Sequence, residues 1–571
     1  MTTDLSRRDL LTAVGAAALG VLPRVRQDTA ELILYNGLVH TMGRGFPTAT
    51  AVAVGGGRIL SVGGDAALRR LAGRRTETLD LRGASVIPGI NDSHLHAMSW
   101  ALASPPFVLD IGPPKVSSIA GVVAAVREAA RSKPAGQWIQ GRGWDQPYFA
   151  EGRAPTRADL DGATTVHPVV LTEFSGHAIW VNSKALELAG ITRDTEPPQG
   201  GVVVKDASGE PTGVLFEGAA GLVRRLLPRI TVEDRQRAVE LALERMAASG
   251  ITSFTEPGLD AESLRAYAGV YRARPRTARL TALRAGGRSL EALERVIADP
   301  VSEEGLDPRM IRIAGVKLFG DGIPTNNKTA WLYDPYVDGG VGKLVIEGGN
   351  DDERVAELEK MIRRAHGLGW QIGTHVTGDR GIDAVVDGYL AAQRAGGRAD
   401  PRHYLIHSDL VLPATLDRMA AGGIGANFNA AIKHLIADGQ VGSIGPERAA
   451  YEWPYRTALV KGVVVASSSD APVTDGNWGK GLAMCVGRKG NQSGKVFGPE
   501  QRITLDQAIA TYTTGGAWQD RAESWKGEIR PGQVADLAVL DRRLPDVATD
   551  ELPSVAVALT VANGQVVFRR R

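Results

Sequence analysis

Eight apolar runs with the length of strands alternate with helical stretches over most of this chain, and this alternation constrains the fold more than any other feature. Strands that alternate with helices favour a parallel sheet, and eight such units are typical of a (β/α)8 TIM barrel. We therefore predict an α/β protein whose barrel spans residues 86–526. The predicted strands lie near 86–91, 251–255, 278–283, 311–319, 371–375, 403–407, 423–427 and 463–468.

Several of these predicted strands end in a side chain that can bind a metal ion or transfer a proton. His94 and His96 point the same way, because alternate residues of a strand share a face. Such a pair can also be an ordinary polar cluster, but more candidates follow at the ends of later strands. Barrel enzymes carry their chemistry at that end, so we expect a metal centre there. The predicted ligands are His94, His96, Lys317, His375, His407 and Asp470.

Short motifs follow one another in series along the chain. They are Pro88-Gly-Ile-Asn-Asp-Ser-His94-Leu-His96, Gly141-Arg-Gly-Trp144-Asp145, Gly176-His177-Ala-Ile-Trp-Val-Asn182-Ser, Val316-Lys317-Leu-Phe-Gly-Asp321-Gly322, His375 with Gly378-Asp379-Arg380, His407, Ser469-Asp470-Ala-Pro472, and a block at 527–541. In this order they resemble the amidohydrolase superfamily, and within it the amidohydrolase-3 branch that includes formamide deformylases. The resemblance covers nearly everything after residue 30, and it implies a metal-dependent hydrolase.

The residue types also suit a hydrolytic metal centre. Neutral imidazole binds zinc and similar divalent ions, a carboxylate adds charge, and a metal-bound water can become hydroxide near neutral pH. Lys317 is the exception, because an ammonium group repels a cation. The family resemblance implies that this lysine reacts with carbon dioxide and that the carbamate bridges two metal ions. The alternative is an ordinary lysine paired with Asp321 or Asp470, which leaves a mononuclear site.

The predicted function is hydrolysis of a carbon–nitrogen bond in an amide, an N-substituted formamide or a related small molecule. We expect metal-bound hydroxide to attack the carbonyl while Asp470, as ligand and catalytic base, relays the proton to the leaving nitrogen. A mononuclear deaminase and a carbamate or ester hydrolase are alternatives within enzymes. A catalytically weak binding or regulatory protein that keeps the metal fold is an alternative of another class.

The segment at about 100–245 is too long for a simple barrel crossover, so we predict an α+β cap within the barrel domain. Its strand at 202–205 and its helix at 231–248 would shape the pocket. We predict that His177, Trp144 and Asp145 of this cap bind substrate. A buried tryptophan beside a hydrogen-bonded aspartate explains the last two equally well.

The two ends of the chain have strand-like alternation and frequent glycines. We expect residues 31–85 and 527–571 to meet in one small β-sandwich; two independent β decorations are the alternative. A net charge of +2 gives no reason to invoke nucleic acid, and the single cysteine, Cys485, excludes an intrachain disulfide. The formation of a homo-oligomer stays open.

The first thirty residues have a different character. Ser6-Arg7-Arg8-Asp9-Leu10-Leu11 precedes a short apolar run rich in alanine and glycine, which resembles a twin-arginine export signal. The run is too short for a stable membrane span. We therefore predict a signal peptide at residues 1–30, passage through the export machinery and a periplasmic or extracellular location.

Overall fold

The computed structural model describes residues 29–45, 47–174, 176–273, 276–325 and 328–571. The predicted export signal lies outside these residues except for its last two. Within the described part of the chain, no helix is both long enough and apolar enough to cross a membrane.

Eight parallel strands form the central sheet, and each strand pairs with its neighbours in chain order. The first and last strands meet where Ser93 N donates to Ser467 O at 3.3 Å and Asp470 N donates to His94 O at 2.9 Å. The predicted (β/α)8 barrel is confirmed. Its strands are Ile90–Asp92, Ile251–Leu259, Arg279–Ala285, Ile311–Phe319, Gln371–Val376, Tyr404–His407, Gly425–Phe428 and Val465–Ser467.

The barrel helices form the outer layer and bury apolar faces against the strands. The helix Asp351–Gly367 illustrates why the sequence forms them: Asn350 caps it by accepting from Glu353 N at 2.9 Å, and Leu358 and Ile362 are buried. The other helices of this layer are Ala97–Leu102, Val232–Ala248, Ala261–Ala273, Leu290–Ala298, Asp379–Arg394, Pro413–Ala421, Ala430–Ile444, Pro446–Tyr451, Tyr455–Val460, Trp478–Gly487, Pro499–Gln501, Leu505–Thr511 and Thr514–Gln519.

The cap is a separate layer inserted after the first barrel strand. Its six-stranded sheet has the spatial order Val202–Lys205, Pro211–Phe216, Ala178–Val181, Val169–Glu173, Ile139–Trp144 and Leu109–Asp110. Its helices are Ile119–Ser132, Gln146–Tyr148, Arg157–Asp161, Ser183–Ala189 and Gly218–Arg224. Two apolar clusters, one on each face of the sheet, contain cap residues alone apart from Leu227 in the chain that leads back to the barrel.

The helix expected in the cap at 231–248 lies in the barrel layer instead. Its buried residues, among them Val239, Leu243 and Met246, belong to the apolar cluster of the barrel. The cap is therefore shorter at its C-terminal end than the sequence indicated, because this amphipathic helix buries its apolar face against the second barrel strand.

Both ends of the chain contribute to a β-sandwich. One sheet has the order Arg58–Gly63, Ala51–Gly55, Ala30–Tyr35 and Ala72–Asp80. The other has the order Gln565–Arg569, Val557–Ala562, Leu537–Leu540, Ser85–Pro88, Leu38–His40 and Thr48–Ala49, so strands from both chain ends lie side by side. Short helices at Asp65–Leu68 and Arg69–Leu71 complete this region. Two more, at Leu544–Asp546 and Thr549–Ser554, connect its strands and bury Leu544 and Leu552 in the apolar cluster of the barrel.

Gly89 divides the predicted first strand in two. Ser85–Pro88 pairs within the sandwich, whereas Ile90–Asp92 pairs within the barrel. A Cβ at residue 89 would lie 2.0 Å from Thr252 Oγ1, so glycine permits the chain to cross closely over the second barrel strand. This crossing sets the direction in which the first barrel strand enters the sheet.

We expect Gly89→Ala to lower the free energy of unfolding by about 1–3 kcal/mol, because the added methyl group must displace Thr252 or the backbone. Urea unfolding of the full chain measures this change. Gly439→Ala is the matched control: a Cβ there meets nothing within 4 Å, and the residue lies inside the helix Ala430–Ile444. The control should raise stability by up to about 1 kcal/mol. Equal stability of Gly89→Ala and the parent chain would contradict the close approach.

Candidate metal centre

Six side chains expected at the metal meet at the C-terminal ends of the barrel strands. His94 Nε2 lies 3.1 Å and His96 Nε2 lies 3.5 Å from Asp470 Oδ1. The ring centres of His94 and His407 are 5.1 Å apart, and those of His375 and His407 are 4.6 Å apart. Lys317 belongs to the same group, since its charge lowers the pKa of His94, His96, His375 and His407. The structure thus brings together residues that are far apart in the chain, since 376 positions separate His94 from Asp470.

Burial keeps the imidazoles neutral. It lowers the pKa of His94 and His407 well below the ordinary value, and it lowers that of His375 to about 4, with the charge of Lys317 as the next cause for His375. A neutral imidazole offers a lone pair, whereas a protonated one offers none. The rings are therefore in the form that binds a metal ion at neutral pH.

Hydrogen bonds select which ring nitrogen faces the centre. His375 Nε2 donates to Gly322 O at 2.9 Å, and His407 Nδ1 donates to Asn429 Oδ1 at 2.7 Å. The other nitrogen of each ring therefore carries the free lone pair. Asn429 in turn donates to Ser468 Oγ at 2.8 Å, which fixes the orientation of its amide.

Sequence reasoning missed Asn429. The available signal was its position directly after the seventh barrel strand, Gly425–Phe428, at the same end of the barrel as the expected ligands. An asparagine after a strand is also a common cap or turn residue, so the sequence alone does not distinguish these roles. Its contact with His407 becomes evident only in the fold.

The residues present fit a divalent metal ion. The donor atoms of His94, His407 and Asp470 lie within 4.8 Å of one another, and all three residues are buried. Among the described residues, Asp470 Oδ1 and His94 Nδ1 are buried without a hydrogen-bond partner. Buried polar atoms are normally satisfied, and a set of imidazoles with a carboxylate is a typical zinc-type site. The unsatisfied carboxylate oxygen of Asp470, which faces His94 Nε2 and His96 Nε2, therefore indicates an ion at this point.

Lys317 does not make the ordinary ion pairs that the sequence left open. It is 2% exposed, and none of the described ion pairs joins it to Asp321 or Asp470. Asp321 instead accepts from the backbone N–H groups of Trp331, Thr377 and Gly378 at 2.8–2.9 Å. Burial lowers the pKa of Lys317 to about 7, although the charge of Asp470 opposes this change.

The backbone is strained where two ligands sit. His407 and Asp470 have φ angles of 72° and 55°, and Ser408 has 52°, all in the left-handed region that non-glycine residues seldom adopt. Surrounding contacts hold this geometry: Trp453 Nε1 donates to His407 O at 2.9 Å, and Ser408 N donates to Val376 O at 2.9 Å. Such strain is typical of functional positions whose side chains must point in one direction.

The three cap residues expected at the substrate lie at the same end of the strands of the cap sheet but differ in exposure. Trp144 is 3% exposed, and its indole donates to Leu171 O at 2.8 Å among the rings of Phe149 and Trp180. The expected substrate contact of Trp144 therefore gives way to the alternative of a buried core tryptophan, because its ring has no accessible face.

His177 and Asp145 remain candidates for substrate contact. The side chain of His177 is 56% exposed, and its Nδ1 lies 2.8 Å from Glu217 Oε1. Partial burial, together with the charge of Glu173, raises the pKa of Asp145. Substrate binding by these two residues stays a prediction.

Comparison with known proteins agrees with this geometry. The chain matches the model of the amidohydrolase family, amidohydrolase-3 branch, over residues 77–568. It is 30% identical over 550 residues to the protein named amidohydrolase YtcJ of Bacillus subtilis (strain 168), with 95% of this chain and 100% of that protein covered. It is 30% identical over 549 residues to the N-substituted formamide deformylase of Arthrobacter pascens, with 95% and 98% covered. A solved structure of an uncharacterized metal-dependent hydrolase from Pyrococcus furiosus has a TM-score of 0.71 and 26% identity, with 90% of this chain and 99% of that chain covered.

We expect Asn429→Ala to weaken metal binding by about 10- to 100-fold, because His407 loses the acceptor that fixes its ring. Competition with a fluorescent chelator measures the metal affinity directly and does not depend on turnover. Asn429→Asp is the conservative control, since it keeps an oxygen acceptor at Nδ1 and should bind the metal nearly as well as the parent chain. Equal metal affinity in Asn429→Ala and the parent chain would refute the positioning role.

Proposed function

This chain belongs to the amidohydrolase family, and from that premise we propose that it cleaves a carbon–nitrogen bond in an amide, an N-substituted formamide or a related carbonyl compound. As a member of that family it is a metal-dependent hydrolase. The observation that carries the proposal is the gathering of the complete predicted ligand set at the C-terminal face of the barrel. The name of the deformylase that is 30% identical to this chain supports the type of bond.

We propose that Lys317, as a carbamate, would hold two zinc or similar divalent ions together with His94, His96, His375, His407 and Asp470. The buried position of Lys317 among the imidazoles, without a described ion pair, supports this assignment. In carbamylation, the ammonium group of Lys317 first releases one proton; the neutral Nζ then forms a bond to the carbon of carbon dioxide and releases a second proton. The cation that would repel a metal ion is thereby replaced by an anion that binds one.

Asp470 transfers the proton in the proposed reaction, and the metal ions activate the carbonyl and the water. When bound, the ions polarise the carbonyl and make a water molecule reactive near neutral pH. Asp470 is held at the centre by its backbone bond to His94, and it accepts a proton from the attacking water. It then delivers this proton to the nitrogen as the carbon–nitrogen bond breaks, so the products are a carboxylic acid and an amine.

The cap supplies substrate contacts in this proposal. We propose that the exposed side chain of His177, which pairs with Glu217, contacts the substrate, and that Asp145 does so too. Export through a twin-arginine signal at residues 1–30 stays a prediction, because these residues lie almost wholly outside the described chain.

We expect Lys317→Ala to reduce the metal content of protein purified without chelator from two ions per chain to one or none, because the bridging group is lost. Elemental analysis measures the content, and intact mass under gentle conditions detects the carbamate on the parent chain. A short carboxylic acid should partly restore activity by replacing the bridge. Lys184→Ala, which changes a partly buried lysine of the cap that pairs with Glu187, should keep two ions. One ion in both the parent chain and Lys317→Ala would establish a mononuclear site, and no ion in the parent chain would favour a binding protein.

We expect Asp470→Asn to lower kcat by about 10²- to 10⁴-fold, since the amide keeps a metal-binding oxygen but cannot accept the proton. The parent chain should release an amine from N-substituted formamides or N-acyl amines in a panel that also contains carbamates and esters. Amine release is followed by a colorimetric assay. Turnover of esters alone would contradict the proposed bond, and unchanged kcat in Asp470→Asn would contradict the proton relay.

A further inference from the structure

An open cavity of about 370 Å³ lies where the cap joins the barrel. Ala103 and Val108 of the chain entering the cap line it, as does Leu227 of the chain leaving the cap. The rest of its wall comes mainly from one face of the cap sheet. Its volume falls in the range of about 300–1,000 Å³ that is usual for small-molecule sites. None of the six predicted metal ligands lines the cavity, so it is distinct from the metal centre.

All the charged side chains that line this cavity are positive. Its lining contains Arg142 and Arg224 and no acidic residue. Arg142 is half-buried, and no ion pair or hydrogen bond is described for its guanidinium group. The neighbouring carboxylate on the next strand, Asp110, is paired instead with Lys115 at 3.3 Å. A half-buried guanidinium without a carboxylate partner favours the binding of an anion.

Neutral donors stand beside the two arginines. Thr172 is the register partner of Arg142 on the adjacent strand, so both side chains lie on the same face of the sheet. Gln140 lies two residues before Arg142 on that same face. Arg224 is oriented by a hydrogen bond from Nη2 to Gly176 O at 2.8 Å. All four side chains line the cavity.

The lining also has an apolar part: Val108 and Leu227 from the connecting segments, and Val170, the register partner of Gln140 on the sheet face. An inorganic anion would leave this surface without a partner, whereas an amine or a metal cation would meet two positive charges. We propose that the cavity binds a small organic anion, with a carboxylate on Arg142 and Arg224 and an apolar body against the valine and leucine side chains.

Because the cavity lies where the cap joins the barrel, a bound ligand would affect the orientation of the cap. The hydrogen bonds and ion pairs described for residues 109–174 and 176–224 join cap residues to one another or to residues 225–227, which directly follow the last cap helix. A ligand in the cavity would contact the cap sheet and both connecting segments at once. It would therefore restrict the orientation of the cap relative to the barrel.

Isothermal titration of benzoate into the metal-loaded full chain tests the proposal. We expect saturable binding at one site, weakened at least about tenfold by Arg142→Gln, because one charge-assisted hydrogen bond contributes roughly this much. Benzamide, the neutral counterpart, and inorganic phosphate, which has no apolar body, should each bind at least about tenfold more weakly. Arg131→Gln changes an exposed arginine of the same cap that pairs with Glu128, so it serves as the matched control and should bind benzoate like the parent chain.

Arg224→Gln is the second variant in case Arg142→Gln does not fold, and it should also weaken binding of benzoate. Benzoate bound at the metal centre instead would be insensitive to both substitutions, and that result overturns the proposal. Absence of saturable binding, or equal affinity for benzoate and benzamide, also overturns it. Equal affinity for phosphate and benzoate would overturn the assignment of an organic ligand.

Discussion

The hydrogen bond from Asp470 N to His94 O joins the two ends of the barrel sheet, and the metal centre depends on it. The first and last barrel strands are far apart in the chain, and only closure of the sheet makes them neighbours. The same bond fixes the backbone of the first and last predicted ligands relative to each other. Its length of 2.9 Å is that of a normal backbone hydrogen bond, so the geometry of the centre is part of the geometry of the fold.

A network of polar side chains extends from the metal centre into the interior of the barrel. Ser468 donates to Asn427 Oδ1 at 2.6 Å, and Asn427 donates to Gln519 Oε1 at 3.0 Å. Gln519 donates to Thr255 Oγ1, and Thr255 donates to Asp520 Oδ1, each at 3.2 Å. Barrel interiors are usually filled with branched apolar side chains. Here each side chain of the network forms a hydrogen bond with the next. Directional hydrogen bonds as well as packing therefore restrict the side-chain rotamers of the interior.

The sequence predicted the architecture well because its signals are local. The strand predicted at 311–319 has the observed bounds Ile311–Phe319, and the six ligand candidates were identified from residue type and position at strand ends. Features that depend on contacts between distant segments were missed. The division at Gly89 depends on Thr252, the role of Asn429 on His407, and the burial of Trp144 on the strands around it.

The cap has its own apolar clusters on both faces of its sheet, and two short segments connect it to the barrel. A substitution in its sheet therefore changes the packing of the cap without altering the strands that hold the ligands. Under the proposal that the cap contacts the substrate, this arrangement lets cap residues change with substrate choice while the residues of the metal centre stay the same.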